Sequence, residues 1–450
     1  MSSSTITSIA GKRVAVVGLG ISGAAAARLL LRRGARIVGF DQKPLHQLGA
    51  YARTLEALGV PLICGPSAFE QVKDVDVVLV SPGVPSFSAL KRAEASGILV
   101  WGEVELATRF VAETVPVIAV GGTNGKSTTT TLIGDLLRTS GRRVFVGGNL
   151  GTPLADHVDD VFDYLVVEVS SFQMERVDRF HPASALLLNV SEDHLDRYTS
   201  FEAYADAKGN AFLRQEVGDE AIVPVSDLIC AAQASRGLGK HVTFGPGGDV
   251  DLTDTAVIDR RSGERYDRRS FLLAGGHNAL NVAASIACVT KFGVKPDAIR
   301  ETLATFRGLP HRTTFVRELD GVRYYDDSKG TNVGAAVTAV LGLSEPRIVL
   351  IAGGRDKGGS YLPLVDALVA RGRGAVLIGE AALAIDKAIE GRVPTARATS
   401  MREAVLAAQK FAISGDAVLL SPACSSFDMF RDYKERGDAF SEAVLKLGAR

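Results

Sequence analysis

The chain has 450 residues, 46% of them hydrophobic, enough for roughly two to four domains with separate cores. Its 51 basic and 51 acidic residues cancel, so nothing marks it as a nucleic-acid binder or a membrane-surface protein. Cys64, Cys230, Cys288 and Cys424 form no CxxC pair, no basic segment leads into an apolar run at the start, and no apolar run reaches about 18 residues; the expectation is a cytoplasmic protein with reduced thiols, no signal peptide and no membrane span.

Strand-like and helix-like runs alternate from end to end, which predicts an α/β protein with parallel sheets. A first strand, Arg13–Val17, runs into Gly18-Leu19-Gly20-Ile21-Ser22-Gly23 and a helix predicted over 24–33. A second strand, 35–40, ends at Asp41. Others are predicted at 75–80, continuing as Ser81-Pro82-Gly83-Val84, and at 99–101. Gly-x-Gly-x-x-Gly between strand and helix, with an acid closing the next strand, is the fingerprint of a Rossmann-like domain that docks a diphosphate. By itself the glycine pattern also fits a structural tight turn. This domain is placed at residues 1–112.

Apolar residues 115–120 then lead into Gly122-Thr123-Asn124-Gly125-Lys126-Ser127-Thr128 and a helix predicted over 127–140. Leu132, Ile133, Leu136 and Leu137 form one apolar stripe on it, and Gly141 follows its end. A glycine turn with Lys-Ser at a helix start is a phosphate cradle: amides point into the turn, the lysine neutralises phosphate charge, and the serine hydroxyl ligates Mg²⁺. Val120 stands where the full P-loop spacing has glycine, so this is the shorter Gly-x-x-Gly-Lys-Ser form. Strands are predicted at 143–146, 164–169 and 185–190. Glu168 in the second, and Asp193-His194 after the third, stand where Mg²⁺ ligands or their supports belong. Read alone, His194 is more often structural, and Lys208 is an ordinary helix lysine unless burial lowers its pKa and lets it react with CO₂. A polar, hairpin-rich piece is predicted over 221–271, then a helix after His277-Asn278-Ala279-Leu280-Asn281, giving a P-loop ATPase-type domain over 113–308.

The remaining residues, 309–450, read as a second Rossmann-like domain with strands at 321–325, 347–352, 375–378 and 417–420. Three of these run into polar loops: Asp326-Asp327-Ser328-Lys329-Gly330-Thr331-Asn332, Gly353-Gly354-Arg355-Asp356-Lys357 and Ser421-Pro422-Ala423-Cys424-Ser425-Ser426-Phe427. Such loops at one sheet edge predict an anion-binding pocket.

With these motifs assembled, the chain resembles the Mur ligase family, which makes amide bonds with ATP in peptidoglycan assembly. The resemblance spans nearly the whole sequence and rests on Gly122–Thr128, Glu168-Val169-Ser170-Ser171-Phe172-Gln173, Asp193-His194, Leu273-x-Gly275-x-His277-Asn278-x-x-Asn281 and Gly308-Leu309-Pro310-His311-Arg312. Within the family, the loops 326–332 and 421–426 are similar to those of the branch that adds D-glutamate to UDP-N-acetylmuramoyl-L-alanine. The resemblance implies that Lys126 and the amides of Gly122, Thr123, Asn124, Gly125, Ser127 and Thr128 hold ATP. Ser127 would ligate one Mg²⁺; Glu168, His194 and Lys208 would surround another, with Lys208 carried as a carbamate. Asn278, Asn281, Arg312 and Asp327 would position the nucleotide. Gly18, Leu19, Gly20, Ile21, Ser22 and Asp41, with Ser81, Pro82, Gly83 and Val84, would hold the UDP part, and Asn149, Ser170 and Gln173 the muramoyl-alanine part. Lys329, Thr331, Lys357, Ser426, Phe427 and Tyr433 would form the D-glutamate pocket. Lys126, Glu168, His194, Lys208, Asp327 and Lys329 would be the catalytic set, in a monomer whose partners are small molecules only. Gly330, Phe427, Gly121 and Gln42-Lys43 depart from the family pattern, and none removes a charged or ligating group.

Other readings account for less. An NAD(P)-dependent oxidoreductase leaves the P-loop without a task. A regulatory GTPase lacks its Asn-Lys-x-Asp signature. Gly18–Gly23 with Asp41, and the loop at Asp327-Ser328-Lys329, speak against a folylpolyglutamate-type or other Mur-type ligase.

Overall fold

A computed structural model of the chain describes residues 8–194, 197–273, 275–356 and 358–448. Its strands form three sheets, in three successive stretches of the sequence. The first holds β1 (Arg13–Val17), β2 (Arg36–Asp41), β3 (Leu62–Cys64), β4 (Val77–Val80) and β5 (Leu99–Trp101), all parallel, in the order β3-β2-β1-β4-β5. Chain order reverses between β1 and β4, and at such a switch point the loops splay apart and leave a crevice. Gly18 follows β1 and Ser81 follows β4, so both glycine turn and serine loop face that crevice.

The second sheet has nine strands: β6 (Val117–Gly121), β7 (Val144–Gly148), β8 (Tyr164–Glu168), β9 (Ser184–Leu187), β10 (Glu220–Pro224), β11 (Lys240–Gly245), β12 (Val250–Leu252), β13 (Ala256–Asp259) and β14 (Glu264–Asp267). Its order is β14-β13-β12-β11-β10-β9-β6-β8-β7, so the P-loop strand β6 lies between β8 and β9. Val120 pairs with Glu168 on one side and Gly121 with Leu187 on the other. The helix Lys126–Thr139 packs Leu132, Ile133, Leu136 and Leu137 with no exposed surface, each contributing about 1.5–3 kcal/mol of transfer energy. Gly141, at φ +78, supplies the left-handed residue past its end. The hairpin-rich reading of 221–271 holds only for β12–β14. Before them β10 and β11 run parallel, joined by the helix Leu228–Ala234, whose start Asp227 caps through the amides of Ile229 and Cys230.

The third sheet comprises β15 (Thr314–Leu319), β16 (Val322–Asp326), β17 (Ile348–Gly353), β18 (Gly372–Ile378), β19 (Thr395–Arg397) and β20 (Ala417–Leu420), ordered β15-β16-β20-β17-β18-β19. Only β15 runs antiparallel to its neighbour. The three polar loops follow β16, β17 and β20, three adjacent strands, and therefore share one edge.

The first and second units are tied by two buried carboxyl groups and by ion pairs nearer the surface. Glu105, fully buried, accepts from the amides of Asp178, Arg179 and Phe180 and from Arg109 Nε. Glu103, also fully buried, accepts from the amide of Ala155. Arg28 makes a two-point contact with Asp156, and Arg32 and Arg33 pair with Asp159.

Candidate active site

The glycine turn predicted to cradle phosphate is built where a side chain would not fit. Gly125 starts the helix at φ +85, and a Cβ there would stand 2.4 Å from Asn281 Oδ1. The turn is pinned from below: the amide of Thr123 donates to the Asn189 carbonyl at 2.9 Å and that of Asn124 to Asn189 Oδ1 at 2.8 Å. Lys126 Nζ donates to the carbonyls of Gly122 and Thr123 at 2.9 and 2.8 Å. Asn278 and Asn281, on the helix Gly276–Val289, are bonded to each other at 3.3 Å and nearly buried beside the turn. Ser127 Oγ accepts from Arg312 Nη2 at 2.8 Å.

Lys208 is not a surface lysine. It is 5% exposed and donates to the carbonyl of Gly122 at 2.8 Å, from the helix Phe201–Gly209. Burial lowers its pKa well below the usual lysine range, and the charge of Lys126 adds to this against the opposing charges of Asp193 and Glu168. Glu168 is 3% exposed; its Oε1 accepts from Asn149 Nδ2 at 2.8 Å, while Oε2 is buried with no hydrogen-bond partner among the described residues. His194, in the left-handed region at φ 56, holds its ring 4.8 Å from that of Phe172. Among the described residues no cluster of His, Cys, Asp or Glu large enough to hold a metal by itself is present.

Across from this cradle, a cleft of about 810 Å³ is lined by Lys329, Thr331, Ser426, Phe427 and Tyr433, together with His194, Arg355 and Asp356. The sequence-predicted pocket residues thus come together, apart from Lys357, which lies outside the described residues. Lys329 Nζ sits 4.0 Å from the centre of the Tyr433 ring, a cation–π contact. Asp327 is buried, accepting from Ser421 Oγ at 2.7 Å and from the Thr313 amide; burial pushes its pKa up to about 7. Arg436 escapes sequence reading, because an arginine on a helix normally faces solvent. Here it is 1% exposed and donates to the carbonyls of Ser328 and Cys424 and to Ser328 Oγ, joining two of the three loops from beneath. Asn332 Nδ2 reaches across to Asn124 Oδ1 and Asp193 Oδ2 at 3.2 and 3.1 Å.

In the first unit, the amide of Leu19 donates to Asp41 Oδ2 at 2.9 Å and Ser81 Oγ to the Gly18 carbonyl at 2.7 Å. A Cβ on Gly23 would fall 1.9 Å from that carbonyl. Gly18, Leu19, Asp41 and Ser81 therefore form one constellation. Asp41 uses its second oxygen on the amide of Lys43. Ser170 and Gln173 form a reciprocal capping box on the short helix Ser171–Met174, and Asn149 is bonded to Glu168, so these three lie around the end of β8.

A P-loop unit between two Rossmann-like units defines the class of protein. Solved structures share it: the UDP-N-acetylmuramate-alanine ligase MurC of Thermotoga maritima is 19% identical with a TM-score of 0.61, covering 96% of this chain and 99% of that one. The MurF ligase of Thermotoga maritima, solved with ADP, is 18% identical with a TM-score of 0.60, covering 98% and 96%. Family models for a MurD-like Mur ligase N-terminal domain, a Mur ligase middle domain and a Mur ligase glutamate ligase domain match residues 12–102, 120–289 and 311–424. The UDP-N-acetylmuramoylalanine--D-glutamate ligase of Geobacter metallireducens is 44% identical over 98% of both chains, and that of Myxococcus xanthus 39% identical over 98% of this chain and 99% of that one. The chain belongs to the Mur ligase family.

Proposed function

We propose that this chain is the ligase that adds D-glutamate to UDP-N-acetylmuramoyl-L-alanine at the expense of ATP, the step its full-length relatives are named for. The similarity to those ligases at 44% identity from end to end carries the reading. A carboxylate does not react with an amine near neutral pH, so the γ-phosphoryl group of ATP is first moved onto it. The resulting acyl phosphate is attacked by the amine of D-glutamate, and phosphate leaves.

Positioning and charge neutralisation are the protein's share of this. Lys126 turns from its loop carbonyls to the phosphates, and the loop amides cradle them. Gly18, Leu19, Asp41 and Ser81 hold the UDP end, while Asn149, Ser170 and Gln173 face the muramoyl-alanine part. Asn278, Asn281, Arg312 and Asp327 position the nucleotide. Lys329, Thr331, Ser426 and Tyr433 match the two carboxylates of D-glutamate with cation and hydroxyl donors. Mg²⁺ fits the site: the unpartnered Glu168 Oε2 is an oxygen ligand suited to a cation, which it would hold together with His194 and a carbamylated Lys208, while Ser127 would ligate a second Mg²⁺. When bound, Mg²⁺ supplies positive charge to the phosphoryl oxygens. The low pKa of Lys208 favours the neutral amine that CO₂ requires. The enzyme acts as a cytoplasmic monomer with small-molecule partners, its domains spanning 1–112, 113–308 and 309–450.

The test is ADP release with ATP, Mg²⁺ and UDP-N-acetylmuramoyl-L-alanine, with D-glutamate present or replaced by L-glutamate, glycine or L-alanine. ADP and a matching amide product with D-glutamate alone are expected. Release with another amino acid would keep the family and refute the pocket assignment.

A further inference from the structure

The amino-acid pocket has to recognise three charges on its ligand, two negative and one positive. The groups discussed so far serve only the negative ones. The positive group is also the reacting one: the ammonium nitrogen must point out of the pocket, toward the acyl phosphate above the P-loop. Beside the 810 Å³ cleft lies a second one of about 310 Å³, lined by Ser191, Glu192 and Asp193 on the side of the P-loop unit and by Asn332 from the third unit. Only two titratable residues among the described ones line both clefts, His194 and Asp356. They mark the junction of the two clefts.

Asp356 is held for such a task. Its Oδ1 accepts from Tyr361 Oη at 2.9 Å and from the amide of Gly358 at 3.1 Å, which fixes the carboxylate plane. Its Oδ2 takes no hydrogen bond among the described residues. Tyr361, 8% exposed, also contacts Cys424 Sγ at 3.3 Å, so the strut rests on the base of the neighbouring loop. Burial, and the neighbouring Cys424 and Asp356, raise the Tyr361 pKa, so the phenol stays protonated as a donor. The other acid in the pocket, Asp432, is engaged elsewhere: its Oδ1 caps the helix Tyr433–Leu445 through the amides of Lys434 and Glu435.

We infer that Asp356 Oδ2 binds the α-ammonium of the incoming amino acid at the junction of the two clefts, with Tyr361 as the positioning residue that orients it. The inference rests on the D-glutamate reading above and adds what that reading lacks, a group that distinguishes an amino acid from a plain dicarboxylate. The two carboxylate subsites alone would also accept glutarate, which has both carboxylates and no nitrogen.

Steady-state ADP release at saturating ATP and UDP-N-acetylmuramoyl-L-alanine is measured for wild type, Asp356→Asn and Tyr361→Phe, with D-glutamate varied and glutarate added as competitor. Loss of a charge-assisted contact predicts a KM for D-glutamate about 10- to 100-fold higher in Asp356→Asn, with the glutarate inhibition constant and the KM for ATP within about twofold of wild type. Tyr361→Phe, which leaves the carboxylate in place but loosens it, is expected to raise the D-glutamate KM by a smaller factor. A KM for D-glutamate unchanged in Asp356→Asn overturns the assignment. So does a KM that rises together with the glutarate constant, since that is the signature of a disturbed loop. Failure of the wild type to release ADP with D-glutamate would bring down the functional reading itself, before any variant is compared.

Discussion

Two lysines share one oxygen: Lys126 and Lys208 both donate to the carbonyl of Gly122. Lys126→Ala removes a preorganised charge at the phosphates and is expected to lower kcat by on the order of 10²–10³, read as ADP release. Turnover near that of wild type would refute the ATP assignment. Lys208→Ala is expected to be nearly inactive and partly restored by a short carboxylic acid added to the buffer, which would stand in for the oxygens of the proposed carbamate. Full folding without any rescue would count against the carbamate. Lys126 was legible from its spacing alone, because a P-loop is a local motif. Lys208 was not, because what matters is the burial of its ammonium against Gly122, 86 residues away in sequence. Arg436 and Asn189 were missed for the same reason: each acts on backbone groups far along the chain.

Among elements, the parallel strands at sheet centres were readable as apolar runs, and β1, β5 and β20 agree with the sequence to the residue. Of the strands passed over, β3, β15 and β19 are sheet edges, whereas β10 and β11, inside the second sheet, lay in the stretch read as hairpin-rich. An edge strand buries less of each face, so β15 carries Arg317 and Glu318 and shows no apolar run. Within the first unit, Gly23→Ala would force the helix Ile21–Arg32 off the Gly18 carbonyl. It should raise the KM for the UDP substrate about tenfold or more while sparing that for ATP, whose cradle lies in another unit; equal effects on both would argue against a UDP site here. The helix Glu103–Thr108 adds a pH dependence. Burial raises the Glu103 pKa from 4.5 to about 7, so the folded state holds a proton that the unfolded state releases earlier. Stability therefore falls as pH rises through that window, by about 3 kcal/mol at most. Glu103→Gln should flatten the decline of Tm between about pH 5 and about pH 8, leaving the share of Asp327, which shifts the same way.

At the scale of the molecule, the two junctions between units differ in kind. The first and second units are bound by Glu105 on three amides and by the paired Arg28, Arg32 and Arg33. Glu105→Ala would strand those amides and Arg109, at a cost of about 3–5 kcal/mol in denaturant unfolding. A loss below about 1 kcal/mol would show that this junction is not held by the carboxylate. The second and third units meet at the site through Arg312–Ser127 and Asn332–Asn124–Asp193, single hydrogen bonds with at most one charged partner each and a lower cost to break. Ligand-linked changes in small-angle scattering are therefore expected to come from the third unit, with the first two moving as one body. Only the existence of three units was visible in sequence; which junction is stiff depends on side chains paired across more than 60 positions.

The contact between Arg312 and Ser127 Oγ has a further meaning. A hydroxyl that already receives a guanidinium has little to offer a second positive group, since the two cations repel across one oxygen. A cation brought to that serine with the nucleotide, as proposed above, would have to displace the arginine and break this tie to the third unit. On the proposed reading the hydroxyl would be an interlock: loading the nucleotide would release Arg312, and with it a tie to the unit that carries the proposed amino-acid pocket.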